Sequence, residues 1–299
     1  MKKPDFFIVG APKCATSSMY QYLSAHPEIF LSRKKEPLFF APDISRHKKI
    51  SDEKSYLSLF EDVRDEKRVG EASVLYLYSD CAAAEIKAFS PAARILIMLR
   101  NPVDMMHSWH SERRYVGHED IADFESALDA EADRKRGLRL PPESFSVKVF
   151  FYREVARFST QIERYFQVFD PDAIKIILME DLKKDLEGVY AETLRFLDVD
   201  PTFKPEFPVV NPNKQARNRF IQRFINDPPE IVRTIGKSVM PSADAREALI
   251  SRLRRLNRRH EARSPMRPEL RRQLQKEFEP EVQRLSELLD RDLTHWGRE

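Results

Sequence analysis

The residues best placed to do chemistry are Lys13, Thr16, Ser17 and Ser18, gathered in the stretch Asp5 to Leu23, DFFIVGAPKCATSSMYQYL. Phe6-Phe7-Ile8-Val9 is a short apolar run bounded by Gly10 and Pro12, and it reads as a buried strand. A tight turn through Gly10-Ala11-Pro12-Lys13-Cys14-Ala15 follows. Thr16-Ser17-Ser18 then opens and caps a helix with Met19, Tyr22 and Leu23 on one face. Such a strand, turn and helix N-terminus aim successive backbone N–H groups at one spot; the helix dipole adds positive potential, and Lys13 adds a full charge. The chemistry this predicts is anion binding; the plainer reading is an ordinary strand–turn–helix with a solvated lysine.

The stretch is not a nucleotide-hydrolase phosphate loop. The pattern G-x-x-x-x-G-K-[ST] would put Gly at position 15 and Lys at position 16, where Ala15 and Thr16 stand. Without a lysine beside the Ser/Thr, the usual seat for a β/γ-phosphate with Mg²⁺ is missing, which argues against a kinase. A ligand with an anionic group at its 5′ end, and no required metal, fits better. Cys14 lies in the turn at a helix N-terminus, where a thiol can be reactive; a small loop residue is the simpler role.

A second candidate pair is Arg100, before Asn101-Pro102, with Ser108. Arg94-Ile95-Leu96-Ile97-Met98-Leu99-Arg100 reads as a buried strand, and a helix begins with Val103-Asp104-Met105-Met106-His107-Ser108-Trp109. Ligands of parallel α/β sheets sit off the carboxyl ends of strands, so Arg100 would face the cleft and Ser108, two turns on, could face it too. Guanidinium and hydroxyl together make a phosphate clamp; the alternative is a local ion pair and a surface serine. Glu36, in Arg33-Lys34-Lys35-Glu36-Pro37-Leu38-Phe39-Phe40, reads by its neighbours alone as a surface ion-pair partner.

The elements that must position these groups alternate strand and helix. A short extended piece follows Pro27, a helical patch surrounds Tyr56 to Phe60, and Gly70-Glu71-Ala72-Ser73 leads into an extended Val74 to Tyr78. Helices are expected near 80–89, 123–136 and 149–166, a third strand at 173–178, and a helix from Glu180 to about Leu197. The alternation implies βαβ units and a mostly parallel sheet. Past Pro201 the prolines 201, 205, 208 and 212 string out a loop, Asn211 to Arg219 is basic, and the rest reads as helices only, with Leu249-Leu253-Leu256 and Phe278-Val282-Leu285 as apolar stripes. The arginine run 252–259 reads as a solvated helix face, not a nucleic-acid site. We expect one domain, 1–299, with an α/β core at 1–210 and a helical part at 211–299 packed back on it.

Composition narrows the classes. The 299 residues suffice for a large core, and 51 basic against 48 acidic residues give no global field to draw nucleic acid or an anionic membrane. Two cysteines allow no disulfide framework, and no run of about 18 apolar residues offers a membrane span. The first strand begins at once, leaving no room for a signal peptide, so the expectation is a soluble, cytoplasmic protein of reduced compartments. Oligomeric state is not legible.

With these motifs in place the chain resembles the sulfotransferases that use 3′-phosphoadenosine-5′-phosphosulfate (PAPS), in the branch of heparan-sulfate and bacterial enzymes. Gly10 to Ser18 is similar to the family's 5′-phosphosulfate loop, and Arg100-Asn101-Pro102 with Ser108 to its 3′-phosphate motif. Lys35-Glu36-Pro37-Leu38-Phe39-Phe40 resembles the segment that carries the general-base glutamate. Weaker echoes are Gly70 to Ser73, Met179 to Leu182 with Phe196-Leu197, and Leu288 to Trp296.

The resemblance implies a P-loop-like three-layer α/β fold with a helical C-terminal extension. It implies PAPS as co-substrate, adenosine 3′,5′-bisphosphate as product, and no metal. Lys13 and Glu36 would be catalytic, and Lys13, Cys14, Ala15, Thr16, Ser17, Ser18, Arg100 and Ser108 would hold the nucleotide. Lys214 and Arg217 would cover the 3′-phosphate. Glu71 is the rival base, with His107 and His110 behind it. Ala15 stands where the family commonly has glycine, so the backbone must approach the sulfate with a Cβ in place. The acceptor implied is a hydroxyl of a glycan, lipid or small metabolite. The alternatives are a binding protein for adenine nucleotides or other anions that has lost the chemistry, and, less favoured, a P-loop kinase.

Overall fold

In a computed structural model, residues 2–44, 50–141, 146–208 and 264–298 are described, together with the backbone of 214–216 and 258–260. The apolar run at the start of the chain forms β1 (Phe6–Gly10), in which Phe6 to Val9 are fully buried. The turn leads to α1 (Thr16–Ser24) and then to β2 (Ile29–Leu31). β3 (Arg68–Ala72), β4 (Arg94–Leu99) and β5 (Ile174–Leu178) complete a five-stranded sheet in the order β2-β3-β1-β4-β5. Every pairing in it is parallel, and helices flank it on the crossovers. The order reverses beside β1, so the carboxyl ends of β1 and β4 frame the crevice where such sheets take ligands.

Local rules explain the corner after β4. Asn101 caps α2 (Pro102–Tyr115), its side chain accepting from the N–H groups of Val103 at 3.0 Å and Asp104 at 3.4 Å. Pro102 sits at the first helical position, where its missing N–H costs nothing. Arg100 is thereby fixed at the strand-to-helix turn.

Several sequence expectations need correction. The strand in the Gly70 region is Arg68–Ala72, and 73–78 turns away beneath the sheet's carboxyl end instead of extending. Charged Arg68 and Glu71 hide this strand from an apolar-run reading. The expected helix at 149–166 is a 3-10 turn, Val147–Phe150, then two helices, Tyr152–Val155 and Phe158–Phe166. The one at 123–136 is also divided, at Ala130. The helix from Glu180 breaks at Asp185, whose side chain caps the second half, Leu186–Leu197. The part beyond Arg219 is not helical throughout: Arg258–His260 is a strand that pairs antiparallel with Lys214–Ala216 of the expected loop, so the end of the arginine run lies on a strand and not on a helix face. Only Pro268–Leu288 remains as a long described helix there.

That helix packs back on the α/β core as expected, with Leu270, Leu274, Phe278, Val282 and Leu285 buried. Arg271 Nη2 lies 2.9 Å from Asp104 Oδ1, and Asn101 Nδ2 donates to the Trp296 carbonyl at 2.8 Å. Trp296 Nε1 in turn donates to Glu180 at 2.8 Å. Among the described residues no helix is long and apolar enough to cross a membrane.

Gly70 is required by packing: a Cβ there would lie 2.3 Å from Phe6 Cζ, inside the ring that fills the β1–β3 interface. Gly70→Ala is expected to destabilise the protein by about 1–3 kcal/mol, the usual cost of overpacking, read as a lower urea midpoint with an unchanged slope.

Candidate functional site

The turn between β1 and α1 is held from three sides. Ser73 N–H donates to Ile8 O at 3.1 Å, Leu77 N–H to Val9 O at 2.7 Å, and Ala11 N–H to Met98 O at 2.6 Å. Gly10 adopts φ +156°, and a Cβ there would meet Leu77 Cβ at 2.6 Å and Val74 O at 2.8 Å. Lys13 and Ala15 both take left-handed backbone, φ 63° and 64°. Ala15 is the cap residue of α1 and supplies no side-chain cap, so the expected Thr/Ser capping is absent and Thr16 begins the helix itself. The helix N-terminus thus keeps its positive end for a ligand.

Arg100 closes the turn from β4. Its Nη1 donates to the Lys13 carbonyl at 3.3 Å and its Nη2 lies 3.4 Å from Asp104. The two anion pockets expected from sequence therefore share one contact. Ser108 is buried on the inner side of α2. One turn further along that helix, Glu112 Oε2 meets Lys13 Nζ at 2.9 Å. Cys14 is fully buried with its thiol directed at Pro12 O; burial pushes its pKa up to about 12, which removes it as a reactive thiolate.

Glu36 lies in the same crevice. Its Oε2 accepts from Val74 N–H at 2.9 Å, its own N–H donates to Ala72 O at 2.9 Å, and its backbone is left-handed at φ 61°. Lys35 spans from this carboxylate, 3.5 Å away, to Ser17 Oγ at 2.8 Å. Desolvation raises the Glu36 pKa, while Lys35, the Val74 N–H and Arg113 pull against the rise. A carboxylate shifted upward in a cleft is suited to accept a proton.

The rival bases are placed differently. Glu71 is fully buried; Tyr56 Oη donates to its Oε2 at 2.7 Å and Tyr76 Oη at 3.2 Å, while Oε1 meets no partner among the described residues. Burial pushes its pKa up to about 8, against 4.5 ordinarily. Phe40 N–H donates to Tyr76 Oη at 3.3 Å and Leu38 N–H to Ser73 Oγ at 3.2 Å. This buried network therefore anchors the segment that carries Glu36. His110 is buried against Ile121 O, and desolvation lowers its pKa; His107 lies against the Phe124 ring. Arg217 and the Lys214 side chain lie outside the described residues.

Sequence reasoning missed Lys35 and Glu112 as members of the site. Lys35 is the residue next to Glu36, and Glu112 follows Ser108 at the i+4 spacing that shares a helix face; both were visible as positions, but nothing local says what they meet. Arg114 donates to Glu119 O and Asp120 O and is a loop clamp. The buried Glu119–Arg134 pair, 2.8 Å on both oxygens, braces that loop with Tyr152.

A parallel sheet whose switch point offers an uncapped helix N-terminus, a lysine, an arginine and a partly desolvated carboxylate is an arrangement that can take an anionic group. The chain belongs to the sulfotransferase family: the family model described as "Sulfotransferase domain" matches residues 3–285. It is 32% identical to a sulfotransferase from Alicyclobacillus acidocaldarius, whose crystal structure covers all of both chains with a TM-score of 0.75.

Curated relatives include human bifunctional heparan sulfate N-deacetylase/N-sulfotransferase 3, 26% identical over 67% of this chain and 23% of that protein. Human carbohydrate sulfotransferase 15 is 23% identical over 66% of this chain and 44% of its own. The matched region thus spans less than half of these curated relatives.

Two outcomes follow from this geometry. Glu71 is protonated in the fold but ionises in the unfolded chain, so its contribution to stability is full below about pH 4.5 and is lost as pH rises to about 8, at up to about 1.4 kcal/mol per pH unit. Denaturant titrations should show that Glu71→Gln flattens the decline across this window. Ala15→Gly relieves a left-handed Cβ and should raise the urea midpoint by the equivalent of about 1 kcal/mol.

Proposed function

We propose that this sulfotransferase takes its sulfuryl group from PAPS and transfers it to a hydroxyl by in-line displacement. The observation that carries the reading is the contact between the two anion pockets, Arg100 Nη1 on the Lys13 carbonyl at 3.3 Å. It supports a reading in which Lys13 and Arg100 supply cations to the two ends of one nucleotide bearing phosphates at both 5′ and 3′ positions. In this reading the loop amides, Thr16, Ser17 and Ser18 hold the 5′-phosphate, with Cys14 and Ala15 shaping the loop. Arg100 and Ser108 hold the 3′-phosphate, and Lys214 and Arg217 close over it.

The chemistry asks for positioning and charge stabilisation more than for covalent help. Glu36 takes the proton from the acceptor hydroxyl as its oxygen attacks sulfur. The bond between sulfur and the bridging oxygen breaks, and that oxygen leaves with the electron pair on adenosine 3′,5′-bisphosphate. Lys13, released from Glu112, neutralises the charge growing on the bridging and sulfuryl oxygens. Lys35 ties Ser17 to Glu36, keeping the base beside the 5′ end of the donor. No metal enters this scheme. The relatives named for heparan sulfate and carbohydrate support a glycan acceptor; lipid and small-metabolite hydroxyls fit the same chemistry.

Calorimetry should show adenosine 3′,5′-bisphosphate binding without metal and more tightly than ATP–Mg²⁺; the reverse preference would sink the donor assignment. With PAPS and a panel of hydroxyl acceptors, Lys13→Ala should lower kcat by about 10²–10³. Glu36→Gln should lower kcat and remove the acidic limb of the pH profile. Binding of the bisphosphate without turnover of PAPS on any acceptor would favour a protein that kept the pocket and lost the reaction.

A further inference from the structure

Arg113 is a buried cation that the mechanism above does not use. The residue is 8% exposed, and its guanidinium lies over the Trp109 ring at 3.9 Å. Its Nε is buried with no hydrogen-bond partner among the described residues. A guanidinium brings a permanent charge and five N–H donors, and burying it without an oxygen acceptor is costly.

Each carboxylate near it has another partner. Glu112 holds Lys13 at 2.9 Å; Glu36 accepts from Val74 N–H at 2.9 Å and faces Lys35 at 3.5 Å; Glu119 is taken by both terminal nitrogens of Arg134 and by Tyr152. Glu112 and Glu36 nevertheless face Arg113 closely enough to support its charge. It therefore sits beside both the partner of Lys13 and Glu36, with its Nε–H unpartnered among the described residues.

We propose that Arg113, stacked on Trp109, is the ligand of an oxyanion that enters the site with a substrate, between Glu36 and the Lys13–Glu112 pair. This rests on the donor reading above and deepens it. The same oxyanion chemistry has two sources: the sulfuryl oxygens of the donor, or an acidic substituent on the acceptor. Trp109 covers one face of the guanidinium, and the unpartnered Nε–H offers a charge-assisted N–H···O contact in its plane.

The test compares wild type with Arg113→Gln and Arg113→Lys by calorimetry. The probes are PAPS, adenosine 3′,5′-bisphosphate, and, on the bisphosphate complex, a methyl glucuronide against the matched methyl glucoside. A donor source predicts that Arg113→Gln weakens PAPS by about tenfold and leaves the bisphosphate unchanged. An acceptor source predicts that both nucleotides bind as before while a preference for the glucuronide over the glucoside collapses. In either case Arg113→Lys should retain part of the effect.

The proposal is overturned if Arg113→Gln keeps all these ratios at wild-type values, or if it weakens every probe equally alongside a lower melting temperature. Should Arg113→Gln not fold, Arg113→Lys decides by the same ratios. Wild type that binds neither nucleotide would instead refute the donor reading itself, whereas normal bisphosphate binding with unchanged ratios refutes only the role of Arg113.

Discussion

The structure depends on a short stretch of backbone that L-residues disfavour. Between β1 and α1, Lys13 and Ala15 are held at positive φ, a conformation that costs roughly 1–2 kcal/mol per non-glycine residue. The surroundings enforce it: backbone bonds from Ser73, Leu77 and Ala11 fasten the end of β1 to both neighbours, and Arg100 grips the Lys13 carbonyl. With Ala15 giving no side-chain cap, the turn ends in an open helix N-terminus. Strain, support and open donors at one point are what an anion site needs.

Around this turn the charges are arranged in opposed pairs. Lys13 rests on Glu112 and Lys35 bridges Ser17 to Glu36, while Arg100 and Arg271 share Asp104. A ligand bearing several negative charges would compete with these half-exposed carboxylates for the cations, and such pairs are weak enough in partial solvent to be exchanged. These pairs hold Lys13, Lys35 and Arg100 in place, which would lower the ordering cost of binding an anion there.

The segment that carries Glu36 depends on a different device. Residues 36–40 have little regular structure of their own, with Glu36 and Leu38 at positive φ. Their N–H groups are taken by Ala72 O, Ser73 Oγ and Tyr76 Oη, and Tyr76 is itself bonded to the buried Glu71. A polar network inside the core thus sets the position of a carboxylate at its surface. The far end of the chain braces the other wall, where Asn101 both caps its helix and binds the Trp296 carbonyl.

Much of this was legible in the residues themselves. The apolar runs at Phe6 and Ile95, the small-residue turn, the Asn101-Pro102 helix start and the parallel alternation are local signals, set by side-chain periodicity and backbone preference within a few positions. The strand at Arg68–Ala72 escaped because charged residues interrupt it, although β1 and β2 bury it from both sides.

What the chain alone could not decide was which charges meet. Lys13 finds Glu112 and Lys35 finds Ser17 across elements far apart in sequence, and Arg113 comes to lie near Glu36 while its Nε meets no hydrogen-bond partner among the described residues. A single residue's type declares its charge, but its partner, its burial and therefore its pKa are set by the packing of distant segments, and only the tertiary structure brings those together.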